Sequence, residues 1–223
     1  MIMKKLQENS GFREIKTGMF LLFVLWQAAW MLNSTAQGDE VDDRVQAFLD
    51  DHRGSWRDLN VPSSDGRLLH DLIVERGFTR GFEIGTSTGH STIWIAWAMR
   101  KTGGKLITVE IDERRQAIAR RNIEDLGLDD YVEFLLGDAH VLTPAQTGPF
   151  DFVFSDADKD WYIQYFKDIY PKLTANACFT AHNISARRAR GWVGEYLEHV
   201  EAMPDMATRV DESGGGVAIT CKR

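Results

Sequence analysis

From about Gln37 onward, short apolar runs of strand type alternate with stretches of helical spacing, and this alternation restricts the fold more than any other feature. Strand-like runs lie at Gly81–Ile84, Leu106–Glu110, Val132–Leu136, Phe152–Ser155 and Ala177–Ala181. Helical patterns separate them at 90–101, 113–126, 139–145 and 160–172, and another follows at 187–202. Two helices are expected earlier, one carrying Val41, Val45, Phe48 and Leu49, the other following Ser64 with Leu68, Leu69, Leu72 and Ile73 on one face. Strands joined through helices pair in parallel by right-handed crossovers, and a parallel sheet needs cover on both faces. Two last runs, about 206–211 and 216–222, meet around Gly214-Gly215-Gly216, which predicts an antiparallel pair at one edge. The expected fold is α/β, a mostly parallel seven-stranded sheet with helices on both faces and an antiparallel edge pair.

Composition narrows the function classes. With 43% apolar residues, no glycine period and two cysteines, the chain is neither disordered, collagen-like nor a disulfide scaffold. A net charge of −7 argues against binding a phosphate backbone, so nucleic acid is not expected as a partner. Cys178 and Cys221 fix no redox compartment; one disulfide and two buried thiols both remain open.

At 223 residues the chain has the length of one domain plus an appendage. Lys4, Lys5, Arg13 and Lys16 precede an apolar run over 18–32 broken only by Gln27, and small residues follow at Ser34 and Ala36. A helix of that length spans about 22 Å, short of the roughly 30 Å hydrocarbon core. Residues 1–36 therefore read as a signal peptide, with an uncleaved N-terminal anchor or a true start at Met31 as alternatives. The remaining domain, 37–223, would be exported (periplasmic or secreted), membrane-anchored or cytoplasmic respectively.

In such sheets, ligands bind beyond the carboxyl ends of the strands. The first strand runs into Gly85-Thr86-Ser87-Thr88-Gly89-His90-Ser91. Gly85 and Gly89 let the backbone turn and approach a ligand, but the G-x-x-x-G spacing differs from the dinucleotide fingerprint. Glu110 ends the next strand, where a carboxylate can accept hydrogen bonds from both hydroxyls of a ribose. Gly137-Asp138-Ala139-His140 ends the third, where an adenine would lie. An adenosine-containing ligand is expected. Ser155-Asp156-Ala157-Asp158-Lys159 and Thr180-Ala181-His182-Asn183 end the fourth and fifth strands. Each feature has a plainer alternative: a strand-to-helix turn for the glycines, a surface ion pair for Asp156 and Lys159, a hydrogen-bonded core histidine for His182. Trp94 and Trp97 read as packing aromatics.

Taken in order, Asn60–Gly66, Glu83-Ile84-Gly85, Glu110, Gly137-Asp138-Ala139, Asp156-Ala157-Asp158-Lys159 and His182-Asn183 give a sequence that resembles the class I S-adenosylmethionine-dependent O-methyltransferases of the catechol and caffeoyl-CoA type. The likeness runs from about Leu59 to Arg223. It implies a Rossmann-like sheet and a site for S-adenosylmethionine. Gly85 and Ser91 would line its methionine part with Glu83 nearby, Glu110 would hold the ribose, and Asp138 with Ala139 would flank the adenine. Val61 matches another cofactor contact. Asp156 and Asn183 match metal ligands, Asp156 also standing beside the cofactor, and Lys159 matches the catalytic lysine. His182 departs from the pattern, which has Asp there; as a third ligand it leaves the divalent metal open among Mn, Co, Fe, Zn and Mg. Only Asp211 and Glu212, loosely placed, lie where the family has an acceptor-contacting acid.

The chemistry agrees with that resemblance. Methyl transfer from a sulfonium needs an oxygen in line with the S–CH₃ bond, and a phenol is protonated at neutral pH. A divalent ion can orient that oxygen and lower its pKa, and a lysine kept neutral by like charge can take the proton. The expected partner is a small hydroxylated, phenolic or catechol-like acceptor. Membrane contact is expected only through an uncleaved N-terminal segment, and a homodimer is left open. The alternatives are an NAD-dependent Rossmann oxidoreductase and a non-catalytic S-adenosyl-ligand binder.

Overall fold

The computed structural model describes residues 40–56 and 58–223, so the expected signal peptide or anchor over 1–36 lies outside the described residues. The described residues divide into two units, 40–46 and the residues from Ala47 to Arg223. In the first, residues 40–46 are helical; in the second, 47–51 are helical and the α/β body follows. Among the described residues no helix is long and apolar enough to cross a membrane.

The body runs α1 (Ser63–Arg76), β1 (Arg80–Ile84), α2 (His90–Thr102), β2 (Lys105–Glu110), α3 (Glu113–Leu126), β3 (Val132–Leu136), α4 (Ala139–Ala145), β4 (Phe150–Ser155), α5 (Tyr162–Ile169), β5 (Leu173–His182), α6 (Trp192–Glu201), β6 (Met206–Asp211) and β7 (Val217–Lys222). The seven strands pair in the order β3-β2-β1-β4-β5-β7-β6. The first five are parallel, and β7 lies antiparallel to both β5 and β6. The sheet expected from the alternating pattern is therefore present, with its edge pair. Strand order reverses between β1 and β4, the switch point at which a ligand crevice opens. Register brings the strand ends level: Ile84 pairs with Val109 and Ser155, Glu110 with Leu136, and Ser155 with Ala181.

Alternation along the strands sends side chains to two cores, one per face. Phe82, Ile84, Val153, Phe179 and Ala181 pack with Tyr162, Phe166 and Tyr196 of α5 and α6, whereas Phe152, Phe154 and Cys178 pack with Leu69 and Ile73 of α1 and Ile95 and Met99 of α2. Trp94 and Trp97 are buried in α2, as packing aromatics.

Two helical spans are shorter than their patterns suggest. Residues 160–172 divide into a 3-10 turn at Lys159–Trp161, α5, and a second turn at Tyr170–Lys172, where Pro171 cannot continue an α-helix. Residues 187–202 become α-helical only at Trp192, after a 3-10 turn at Ala186–Arg188, because Gly191 adopts φ 56°, ψ −140°, outside the helical region. Of the two alternatives for the cysteines, the structure contains the disulfide: Cys178 and Cys221 face each other across β5 and β7 and are bonded.

Candidate active site

The first loop is shaped by close approach. Gly85 has φ +101°, and a Cβ there would lie 3.1 Å from the backbone of Asp156 and Ala157. Its amide and that of Thr86 donate to Val109 O, and Asp156 N donates to Ile84 O, so the ends of β1, β2 and β4 are laced together. Gly89, with φ +96°, packs on Ala119, where a Cβ would come within 2.9 Å. The chain before α1 is tied over this loop. Arg115 makes two 2.9 Å bonds to the Asp58 carboxylate, and Asn60 Nδ2 donates to Thr88 Oγ1 at 2.9 Å.

Beneath it lies a cavity of about 340 Å³ at the switch point, lined by Gly85, Ser87, Glu110, Gly137, Asp138, Ala139, His140 and Asp156 among others. That volume suits a small-molecule or cofactor site. Glu110 is fixed by backbone donors, accepting from Ser87 N at 2.7 Å and from Ile111 N and Asp112 N at 3.0 Å. A carboxylate has about four acceptor positions, so one remains for a ligand hydroxyl. At the far end, Asp138 caps α4 by accepting from His140 N at 2.9 Å, and the His140 ring stacks on Trp161 with centroids 3.7 Å apart. His140 is expected only as part of the Gly137–His140 motif and Trp161 not as a site residue; a ring pair formed between the first turn of α4 and the 3-10 turn before α5 leaves no local spacing to read.

Of the expected cofactor residues, Gly85, Glu110, Asp138, Ala139 and Asp156 meet in the lining, whereas Val61, Glu83 and Ser91 do not enter it. Val61 belongs to the α1–α2 core. Glu83 is fully buried and accepts hydrogen bonds from Ser91, Thr92 and Thr108 at 2.6–2.7 Å, so Glu83 and Ser91 bond to each other behind the loop. Burial raises the Glu83 carboxyl to about 7, against the pull of those three hydroxyls. Because the folded value lies above the unfolded one, the stability from this site is complete below about pH 4.5 and falls as the pH rises through about 7. Glu83→Gln removes that dependence. Denaturant unfolding of variant and wild type at both ends of the range should show the variant's relative stability rising by about 3 kcal/mol toward high pH; a constant difference would contradict the buried-acid assignment.

The fourth and fifth strand ends meet beside this cavity. Lys159 Nζ donates to Asp156 Oδ1 and, at 2.8 Å, to Tyr162 OH. His182 is buried, with Nε2 2.8 Å from Asp65 Oδ2, and Nδ1 3.2 Å from Asp156 Oδ2 without an aligned hydrogen bond. Burial opposes a charge on His182, but the carboxylates of Asp156 and Asp65, one at each ring nitrogen, outweigh it and raise its pKa to about 9. Asn183 follows in the left-handed region at φ 58° with its side chain exposed. Asp211 holds the Ser213 amide and hydroxyl, and Glu212 pairs with Arg187, so neither joins the cluster.

Among the described residues, no three His, Cys, Asp or Glu side chains converge as a closed metal cage. The donor set that remains fits an open site. The unpartnered Nδ1 of His182 and Oδ2 of Asp156 are spaced as neighbouring ligands of one ion with bonds of about 2.1 Å. No contact brings the Asn183 amide to them.

The sequence model of the O-methyltransferase family matches residues 38–202. A catechol O-methyltransferase of Niastella koreensis is 44% identical over 113 residues, covering 49% of this chain and 51% of that protein. One from Mycobacterium tuberculosis is 41% identical over 139 residues, covering 61% of each. The chain thus spans about half to three fifths of the length of these curated relatives. Among solved structures, an O-methyltransferase of Streptomyces achromogenes involved in tomaymycin synthesis, in complex with S-adenosylmethionine, superposes with a TM-score of 0.68 at 26% identity, covering 82% of this chain and 88% of that one.

Proposed function

Because the chain belongs to the O-methyltransferase family, we propose that it transfers the methyl group of S-adenosylmethionine to a hydroxyl of a small phenolic or catechol-like acceptor. The observation that carries this reading is the position of Asp156, which lines the cavity and also contacts both Lys159 and His182. A cofactor held in the cavity would therefore lie beside the cluster in which Asp156 meets Lys159 and His182. The names of the relatives, catechol O-methyltransferases, support the acceptor class.

The reaction breaks the sulfonium S–C bond, forms an O–C bond and releases the hydroxyl proton. Gly85 and the loop after it give the methionine part close backbone approach, Glu110 accepts from the ribose, and Asp138 and Ala139 border the adenine. Holding the acceptor oxygen about 3–3.5 Å from the methyl carbon, in line with the S–C bond, supplies much of the acceleration. Lys159, whose nitrogen donates to Asp156 and Tyr162, would receive the acceptor proton in its neutral form, which a divalent ion beside it would favour by like charge. Asp156 and His182 would hold a divalent ion, with Asn183 as a further ligand. Such an ion, when bound, orients the acceptor oxygen and lowers its pKa.

Calorimetry with S-adenosylmethionine tests the cofactor assignment. Glu110→Ala removes a ligand hydrogen bond to a charged group worth about 1.5–3 kcal/mol, so affinity should fall about ten- to a hundredfold. Unchanged affinity would sink the assignment, and tighter binding of NAD would favour the oxidoreductase alternative.

A further inference from the structure

Asp65 has no part in the chemistry above, yet it is among the most buried carboxylates of the chain, at 1% exposure. It lies in the first turn of α1, far in sequence from the residues it meets. Its Oδ2 accepts from Gly215 N at 2.7 Å and lies 2.8 Å from His182 Nε2. The glycine turn between β6 and β7 closes on this pair. A Cβ on Gly214 would fall 1.7 Å from Asp65 Oδ1, and one on Gly215 would fall 2.8 Å from His182 Nε2.

An ionised carboxylate only accepts hydrogen bonds, so the ring nitrogen facing Asp65 has to carry a proton. Nδ1 is then the nitrogen that an ion could reach, by displacing the proton it carries in the charged ring. It is the atom that is buried without an aligned partner, 3.2 Å from Asp156 Oδ2. Histidines that bind metals usually donate their other N–H to a carboxylate or carbonyl, which fixes tautomer and ring orientation and raises basicity.

The geometry points to Asp65 as the outer carboxylate of a divalent-metal site, a positioning residue that holds His182 in its Nε2–H form with Nδ1 turned toward an ion shared with Asp156. This rests on the reading of His182 and Asp156 as metal-holding residues. Asp65 then supplies, one bond further out, the negative charge that an aspartate in place of His182 would have supplied directly. Both partners of the Asp65–His182 bond are buried. An ion at Nδ1 takes the place a proton can occupy there, so both carboxylates serve either cation.

The test is titration of Co²⁺ into the chelator-stripped full chain, by calorimetry and by visible absorption, which reports nitrogen ligation. Asp65→Ala should weaken Co²⁺ binding by about 10–100-fold and alter the absorption, while affinity for S-adenosylmethionine stays unchanged. Asp65→Asn keeps an acceptor oxygen without the charge and should fall between. A purely structural Asp65 predicts lower thermal stability with unchanged Co²⁺ affinity and spectrum, and that result would overturn the proposal. If the alanine variant also loses cofactor binding, the asparagine variant decides: weakened Co²⁺ binding supports the role and equal binding refutes it. Failure of the wild type to bind Co²⁺ would overturn the metal reading and Asp65's role together, leaving the cofactor result to stand by itself.

Discussion

Replacing Lys159 with methionine should lower kcat by about 10²–10⁴-fold, the range for loss of a positioned general base. Methionine keeps length and packing but has no proton-accepting nitrogen. Binding of S-adenosylmethionine should be unchanged, because Lys159 is not in the cavity lining. The loss should shrink as the pH rises, since an acceptor hydroxyl then ionises without help. Steady-state kinetics against pH for both proteins check this. A variant with normal turnover at neutral pH would reduce Lys159 to an ion-pair partner of Asp156. A large rise in KM with unchanged kcat would instead make it an acceptor-binding group.

The second large effect is expected from chelation. With His182 and Asp156 as ligands, removal of divalent ions should take transfer to background. Manganese or cobalt should restore it better than magnesium, because imidazole suits borderline ions and magnesium prefers oxygen. His182→Asp gives an all-oxygen set and should move the preference toward magnesium. The measurement is activity of chelated protein with each ion added back, for both proteins. Full activity in chelator would show that Asp65, His182 and Asp156 work as a proton-bearing network without an ion.

Much of this was legible in the sequence for a physical reason. Strand and helix patterns have short periods, and topology rules turn their alternation into one sheet; Gly85, Glu110, Asp138 and Asp156 then follow as strand-end residues, each at its strand's last residue or within two residues beyond it. What could not be read depends on contacts between distant segments. Asp65 meets His182 and Gly215 only once α1, β5 and the β6–β7 turn are assembled. Glu83 looks like a strand-end ligand residue, yet Thr108 on the neighbouring strand and Ser91 and Thr92 on α2 enclose it. His140 in α4 and Trp161 in the 3-10 turn before α5 stack only once β3 and β4 are paired into the sheet. The ends of the helical patterns at 160–172 and 187–202 were set by Pro171 and Gly191, local backbone restrictions that periodicity alone overrides.

The most direct test of the central claim is methyl transfer itself. The full chain is incubated with methyl-labelled S-adenosylmethionine, divalent ion and a panel of catechols, other phenols and non-phenolic alcohols, and product is identified by mass. The predicted result is a mono-O-methylated catechol or phenol formed in equal amount with S-adenosylhomocysteine, and lost in Lys159→Met. Tight binding of S-adenosylmethionine with no methyl transferred to any hydroxyl acceptor would contradict it and leave a non-catalytic binder of the cofactor.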